Sequence, residues 1–306
     1  MGWSVSVRAL LWGAVLVVPA CAGDDGDGDA SADGGSGSTQ EVVLTPAGYA
    51  EGTIFQRNED RSYDLVVQGT YRGEPSAVEA QVVDADSLEV VVPWQNVDDR
   101  PADGAFVGVL PGVPEGGWYQ LEVRAAGADA SPRRSAGRFG VGILVACSGQ
   151  SHIDHWFDVD FGPGAPPSHD LTRMYRHAQV RQYGPSWQGW KPITGMGAVT
   201  FANRLAEALD IPVGLLDYGV QASSLWQSNV LSVGSPLVGT MFGWWLSDES
   251  GRYPLADNYA VLLEGLESVG RRVEVALWIQ GHSDAAAGES TARYQEGLGL
   301  LFGQLR

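Results

Sequence analysis

Gly142-Ile143-Leu144-Val145-Ala146-Cys147-Ser148-Gly149-Gln150-Ser151-His152 decides how this chain is read. Its apolar run, Ile143 to Cys147, is short and partly β-branched, the pattern of a strand buried on both faces of an α/β sheet. The run stops at Ser-Gly-Gln-Ser, where glycine lets the backbone turn sharply. Ligands of open α/β sheets bind outside the carboxyl ends of the strands, which puts Ser151 at the floor of such a crevice. A hydroxyl there, beside converging backbone N–H groups, has the surroundings a nucleophilic serine needs. Taken alone, the tetrapeptide is read more simply as a polar turn after a strand.

The residues that follow strengthen the first reading. A loop rich in proline, glycine and aromatics runs through Trp190-Lys191-Pro192. Val199, Ala202, Leu205 and Leu209 then recur at helical spacing and predict a helix over Ala198 to Leu209. Val213 to Tyr218 reads as the next buried strand, closed by Gly219. Tyr259 to Val269 predicts a second helix, Val273 to Ile279 a third strand, and Ser290 to Leu305 a last amphipathic helix. Strands alternating with helices indicate a parallel sheet. Three of these strands end in glycine-containing turns, at Ser151, at Gly219 and at Gln280-Gly281, and that convergence is harder to dismiss than any single motif.

Upstream, from Glu41 to about Phe139, the pattern changes to short alternating runs between turn residues. Val42-Val43-Leu44, Tyr63 to Val67, Ala77 to Val83, Leu88 to Val92, Gly104 to Leu110 and Trp118 to Val123 are strand candidates. Without helical periodicity they predict a β-sandwich. Trp94, Trp118 and Tyr119 read as packing residues there, not as sugar platforms.

The amino terminus is a targeting segment. Ala9 to Val18 is apolar but too short to span a bilayer. Val18-Pro19-Ala20-Cys21 resembles the lipobox of bacterial lipoproteins, which implies cleavage before Cys21 and lipid attachment there. Several acyl chains together anchor stably, where one is marginal. Residues 22–40 are mostly Gly, Ser and Asp, a disordered tether with no apolar surface to bury. With Cys21 lipidated only Cys147 is left, so no intrachain disulfide can form. The formal charge of −18, from 37 acidic and 19 basic residues, argues against nucleic acid or an anionic bilayer surface as partner.

Val145-Ala146-Cys147-Ser148-Gly149-Gln150-Ser151 resembles the nucleophile block of the sialate O-acetylesterase family, a branch of the SGNH hydrolases. Ile211 to Leu216 with Trp226 resembles the family's second block, whose glycine donates a backbone N–H to the oxyanion; Gly219 takes that place here. Leu277-Trp278-Ile279-Gln280-Gly281-His282 resembles the third block. Ile54-Phe55-Gln56-Arg57 and Leu110-Pro111 to Trp118-Tyr119 resemble the sandwich that precedes the nucleophile strand in longer members. The resemblance covers about Glu51 to Arg306, in the family's order.

It implies a parallel, three-layer, flavodoxin-like SGNH hydrolase domain over 141–306, preceded by an Ig-like β-sandwich over 41–140. Residues 1–20 are then the signal peptide and 21–40 the tether. The implied activity is removal of O-acetyl groups from carbohydrate, sialic acid or an acetylated polysaccharide, by an extracytoplasmic enzyme held to a bacterial membrane through lipid alone. Ser151 is the nucleophile. The backbone N–H groups of Ser151 and Gly219, with the Gln280 side chain, form the oxyanion hole, and no cofactor or metal is implied.

Three departures qualify this. His152 stands where the family has Asn, and His282 where it has Glu. No histidine here follows an Asp by three residues, the family's arrangement for its catalytic base. The sequence is therefore expected to be a fragment lacking the last strand and base, with His282, oriented by Asp284, as the local substitute. Two other readings stay open. Gln150-Ser151-His152-Ile153-Asp154-His155 resembles the His-x-His-x-Asp-His zinc motif of metallo-β-lactamase-like hydrolases, with His282 as a later ligand, although Gln150 occupies the first histidine position. The chain would otherwise be a surface lipoprotein that binds a glycan without turning it over.

Overall fold

The fold is described from a computed structural model, which covers residues 42–127, 132–157, 166–176, 188–232, 243–247 and 257–304. The expected signal peptide, Cys21 and the expected tether lie outside the described residues, as does Leu305 at the end of the last predicted helix.

The amino-terminal strands are β1 (Val43–Pro46), β2 (Thr53–Gln56), β3 (Ser62–Arg72), β4 (Val78–Asp84), β5 (Val90–Asp98), β6 (Ala105–Pro114), β7 (Gly116–Ala125) and the two-residue β8 (Arg133–Arg134). β1, β3 and β6 make an antiparallel sheet of three. β5, β4 and β7 pair antiparallel and join β9 (Phe139–Gly149). Leu65, Val67, Phe106 and Leu110 from the first sheet meet Val78, Val82, Leu121, Val123 and Phe139 from the second in one core. Alternation of apolar and polar residues along these strands is what makes each sheet one-sided.

Downstream come α1 (Ser151–Asp154), a 3₁₀ turn over His155–Phe157, β10 (Thr172–Arg176), β11 (Gly189–Lys191), α2 (Met196–Leu209), β12 (Val213–Gly219), β13 (Ser224–Trp226) and α3 (Gln227–Ser232). β14 (Trp244–Leu246), α4 (Asp257–Ser268), β15 (Val275–Ile279), α5 (His282–Ala286) and α6 (Thr291–Gln304) complete the chain. The predicted strands ending at Ser151, Gly219 and Gln280 are β9, β12 and β15, and all three run parallel. β10 extends this group beside β12 and is closed by the antiparallel β11. The result is a mixed sheet carrying helices, an α/β arrangement.

All eleven residues of β9 are buried. Its alternate side chains serve two cores. Ile143, Val145 and Cys147 pack with Val213, Leu215 and the α2 residues Ala198, Val199, Ala202 and Ala206. Leu144 and Ala146 point the other way, into a cluster with Leu216, Tyr218, the α4 residues Tyr259 and Leu262, and Leu301 of α6. The amino-terminal part of β9 pairs with β2 and β7, its carboxyl part with β12 and β15. The expected boundary between 140 and 141 therefore falls within one continuous strand.

Several strands have no counterpart in the sequence reading, and β10 is the one that extends the parallel group. β10, Thr172-Arg173-Met174-Tyr175-Arg176, lies in the stretch read as loop for its proline, glycine and aromatic content. Arg176 is nonetheless buried, its Nε donating to Asp217 Oδ2 of β12 at 2.7 Å.

Candidate active site

The three glycine-containing turns emerge side by side. In register, Gly149 of β9 lies opposite Gly219 of β12 on one edge and Ile279 of β15 on the other. Gly149 has φ +132°, and a Cβ there would lie 2.2 Å from the Ile279 carbonyl oxygen. No other residue lets this turn pass so close to its neighbour. Ser151, Gly219 and Gln280 are thus brought to one end of the parallel strands.

Gln150 ties two of these turns together. Its backbone N–H donates to the Ile279 carbonyl at 2.9 Å. Its side-chain Oε1 accepts from the N–H groups of Gly281, His282 and Ser283 at 3.1, 2.9 and 3.3 Å. These belong to the start of α5, where helix N–H groups have no partner within the helix. Gln150, only 2% exposed, is therefore the cap of a helix that begins 132 residues further on. Sequence reasoning gave Gln150 no such role.

Ser151 opens α1 and is partly exposed, and its hydroxyl makes no hydrogen bond among the described residues. Its backbone N–H, at the first helical position, has no intrahelical acceptor. The other two expected oxyanion donors face elsewhere. The Gly219 N–H is directed at Asp217 Oδ1 at 3.4 Å. The Gln280 amide donates to Asp284 Oδ2 and to the Ser223 carbonyl at 3.3 Å, while its oxygen accepts from Tyr294 Oη at 2.7 Å.

His282 does not have the expected carboxylate. Asp284, 1% exposed, turns inward and accepts from the Leu225 N–H at 2.9 Å, the Trp226 N–H at 3.4 Å and Asn229 Nδ2 at 2.6 Å. An aspartate two residues on in a short helix points away from the histidine, and β13 supplies donors that solvent would otherwise provide. His282 is exposed and instead faces His152, with ring centroids 5.7 Å apart and planes at 66°. His169 lies at the entry to β10, at the opposite end of the parallel strands, its Nδ1 accepting from the Leu171 N–H at 3.1 Å. His177 is outside the described residues.

The zinc reading needs Asp154 beside His152, and that arrangement does not form. Asp154 is fully buried and accepts from Gln221 Nε2 at 2.9 Å. Among the described residues no group of three or more His, Cys, Asp or Glu converges. Asp217, also fully buried, has its carboxyl pushed up to about 7, first by burial and also by Asp154, against the opposing Arg176. Burial likewise raises the Cys147 thiol far above its usual range, so it stays protonated and unreactive.

No protein-family model matches the chain, and no curated protein matches it. Among solved structures it is similar to a carbohydrate acetylesterase from Xanthomonas citri, 19% identical, covering 86% of this chain and 57% of that one, with a TM-score of 0.49. It is also similar to the titin domains z1z2 in complex with telethonin, 14% identical over 37% of this chain and 60% of that chain, TM-score 0.21. This chain thus spans less than two thirds of either.

Proposed function

We propose that this chain is a serine carbohydrate O-acetylesterase of the sialate O-acetylesterase type, an SGNH hydrolase domain behind an Ig-like sandwich. The observation that carries the reading is Ser151 itself: a hydroxyl without a hydrogen-bond partner among the described residues, on a glycine turn at the end of parallel strands whose neighbouring ends abut it in register. The Ser151 oxygen attacks the acetyl carbonyl, its proton passes to a histidine, and the sugar oxygen leaves protonated. Water then releases acetate from the acyl-serine. The Ser151 N–H faces the developing oxyanion, joined by the Gly219 N–H and the Gln280 amide once they exchange their bonds to Asp217 and Asp284. His282 is the candidate base. The partner is an acetylated carbohydrate, met outside the cytoplasm by a protein tethered through a lipid on Cys21.

A second reading has one observation in its favour. Asp284 is committed to β13, so nothing among the described residues orients His282 as Asp orients the histidine of a catalytic triad. A domain that binds an acetylated glycan without cleaving it would have this arrangement. Labelling with a fluorophosphonate, with an acetyl-ester assay alongside, separates the two. An esterase is labelled at Ser151, turns over the ester, and loses both in Ser151→Ala. A protein that is neither labelled nor active supports the binding module.

A further inference from the structure

We propose that His152 and His282 form a two-imidazole site for a divalent transition-metal ion beside the Ser151 turn. The two rings come from different strand ends, 130 residues apart in sequence, and are both exposed in an edge-on contact with planes at 66°. The geometry fits an ion between them. A Zn²⁺–N bond of about 2.1 Å puts the metal about 3.2 Å from each ring centre, so a centroid separation near 5.2 Å gives a tetrahedral angle at the metal. The observed 5.7 Å opens that angle to about 125°, and two exposed side chains close the difference by small rotations.

The backbones that carry the pair are also held in place before any ion arrives. Gln150 precedes α1, on which His152 sits, and its Oε1 accepts the backbone N–H of His282 at 2.9 Å. One buried side chain thereby fixes the spacing of both histidine backbones. A site whose ligands are already positioned loses less freedom on binding than one assembled from loops. Imidazole selects Zn²⁺, Ni²⁺ and Cu²⁺ over Ca²⁺ or Mg²⁺, which take oxygen ligands. With two protein ligands the ion keeps open positions for water or for a carbonyl oxygen, and one of those ligands, His152, directly follows Ser151 in sequence. Asp154 takes no part, which distinguishes this site from the zinc-hydrolase pattern. An ion on His282 occupies the lone pair that a general base would use, so metal-bound protein would lack that base; the site is tested by metal uptake itself, apart from the esterase reading.

The test uses metal-free protein without a polyhistidine tag. Zn²⁺ is titrated by calorimetry, Co²⁺ is followed by its visible absorption, and Ca²⁺ serves as the oxygen-seeking control. The wild type is expected to take up Zn²⁺ and to develop a Co²⁺ band that Ca²⁺ does not compete away. Losing a ligand costs at least what losing a ligand's supporting partner does, so His152→Ala and His282→Ala should each weaken Zn²⁺ binding about tenfold or more. The double variant should be little worse than either, because one imidazole alone cannot chelate. His282→Gln guards against a folding defect in the alanine variant. Absence of Zn²⁺ uptake in the wild type, or uptake undiminished in both single variants, overturns the proposal.

Discussion

Gln150→Ala tests how the Ser151 turn is built. The substitution removes one oxygen that accepts from three N–H groups, at 2.9 to 3.3 Å, at a position 2% exposed to solvent. Losing a helix cap costs about 1 kcal/mol. Stranding a buried donor adds roughly 1–3 kcal/mol. Part of the α5 entry can rehydrate, so the sum is set at about 2–3 kcal/mol. For a chain of this size each kcal/mol moves Tm by about 2–4 °C, giving an expected fall of roughly 5–10 °C. The assay is thermal unfolding followed by tryptophan fluorescence, paired with the rate of fluorophosphonate labelling at Ser151. Labelling should slow as well, because the same side chain sets the distance between the Ser151 and Gln280 turns. Gln150→Glu keeps an acceptor in place beside the positive end of α5 and should recover most of the stability. A Tm within about 1 °C of wild type for Gln150→Ala would refute the reasoning, since it would mean these N–H groups are satisfied without Gln150.

Asp284→Ala removes the acceptor for Leu225, Trp226, Asn229 and Gln280, and should cost about 3 kcal/mol or more, read from denaturant unfolding. The pH dependence around Asp217 has a definite sign. Its folded-state carboxyl titrates near 7 against 3.8 unfolded, so the native state holds a proton that the unfolded chain has released. That contribution is complete below about pH 4 and lost as pH rises to about 7. Asp217→Asn mimics the protonated form. The wild type should therefore lose stability relative to this variant across that window, as melting temperatures at stepped pH would show. Cys21→Ser should shift the protein from the membrane fraction to the soluble one, and equal distribution of both forms would remove the lipid anchor.

What was legible in the sequence was local. β9, β12 and β15 each announce themselves by an apolar run that stops at glycine, and α2 by its spacing of apolar residues. The parts that escaped depend on partners remote in sequence. β10 lies in a stretch whose proline, glycine and aromatic content reads as loop, and Asp217 on the neighbouring strand, a partner of its buried Arg176, is 41 residues away in sequence. Asp284 beside His282 resembled a solvated pair or an orienting carboxylate, and the β13 donors that claim it are about 58 residues earlier. Gln150 was recognisable as part of a nucleophile block, but nothing nearby in sequence marks it as a cap. Gly142, which looks like punctuation before the strand, is a point where Pro212 approaches so closely that a Cβ would meet its carbonyl oxygen at 1.9 Å.

β9 carries both the sandwich sheet and the parallel strands without a break, and the described chain forms one compact unit over Gln40–Arg306. A beam shared in this way joins the two regions thermodynamically. Unzipping either half exposes the edge on which the other depends, so the two should melt together. A ligand captured at the Ser151 end then stabilises strands that never touch it, by the ordinary mass-action gain of a site present only in the folded state. Hydrogen exchange at β4 and β7 becomes a remote gauge of occupancy at the cleft, readable without any chromophore in the substrate.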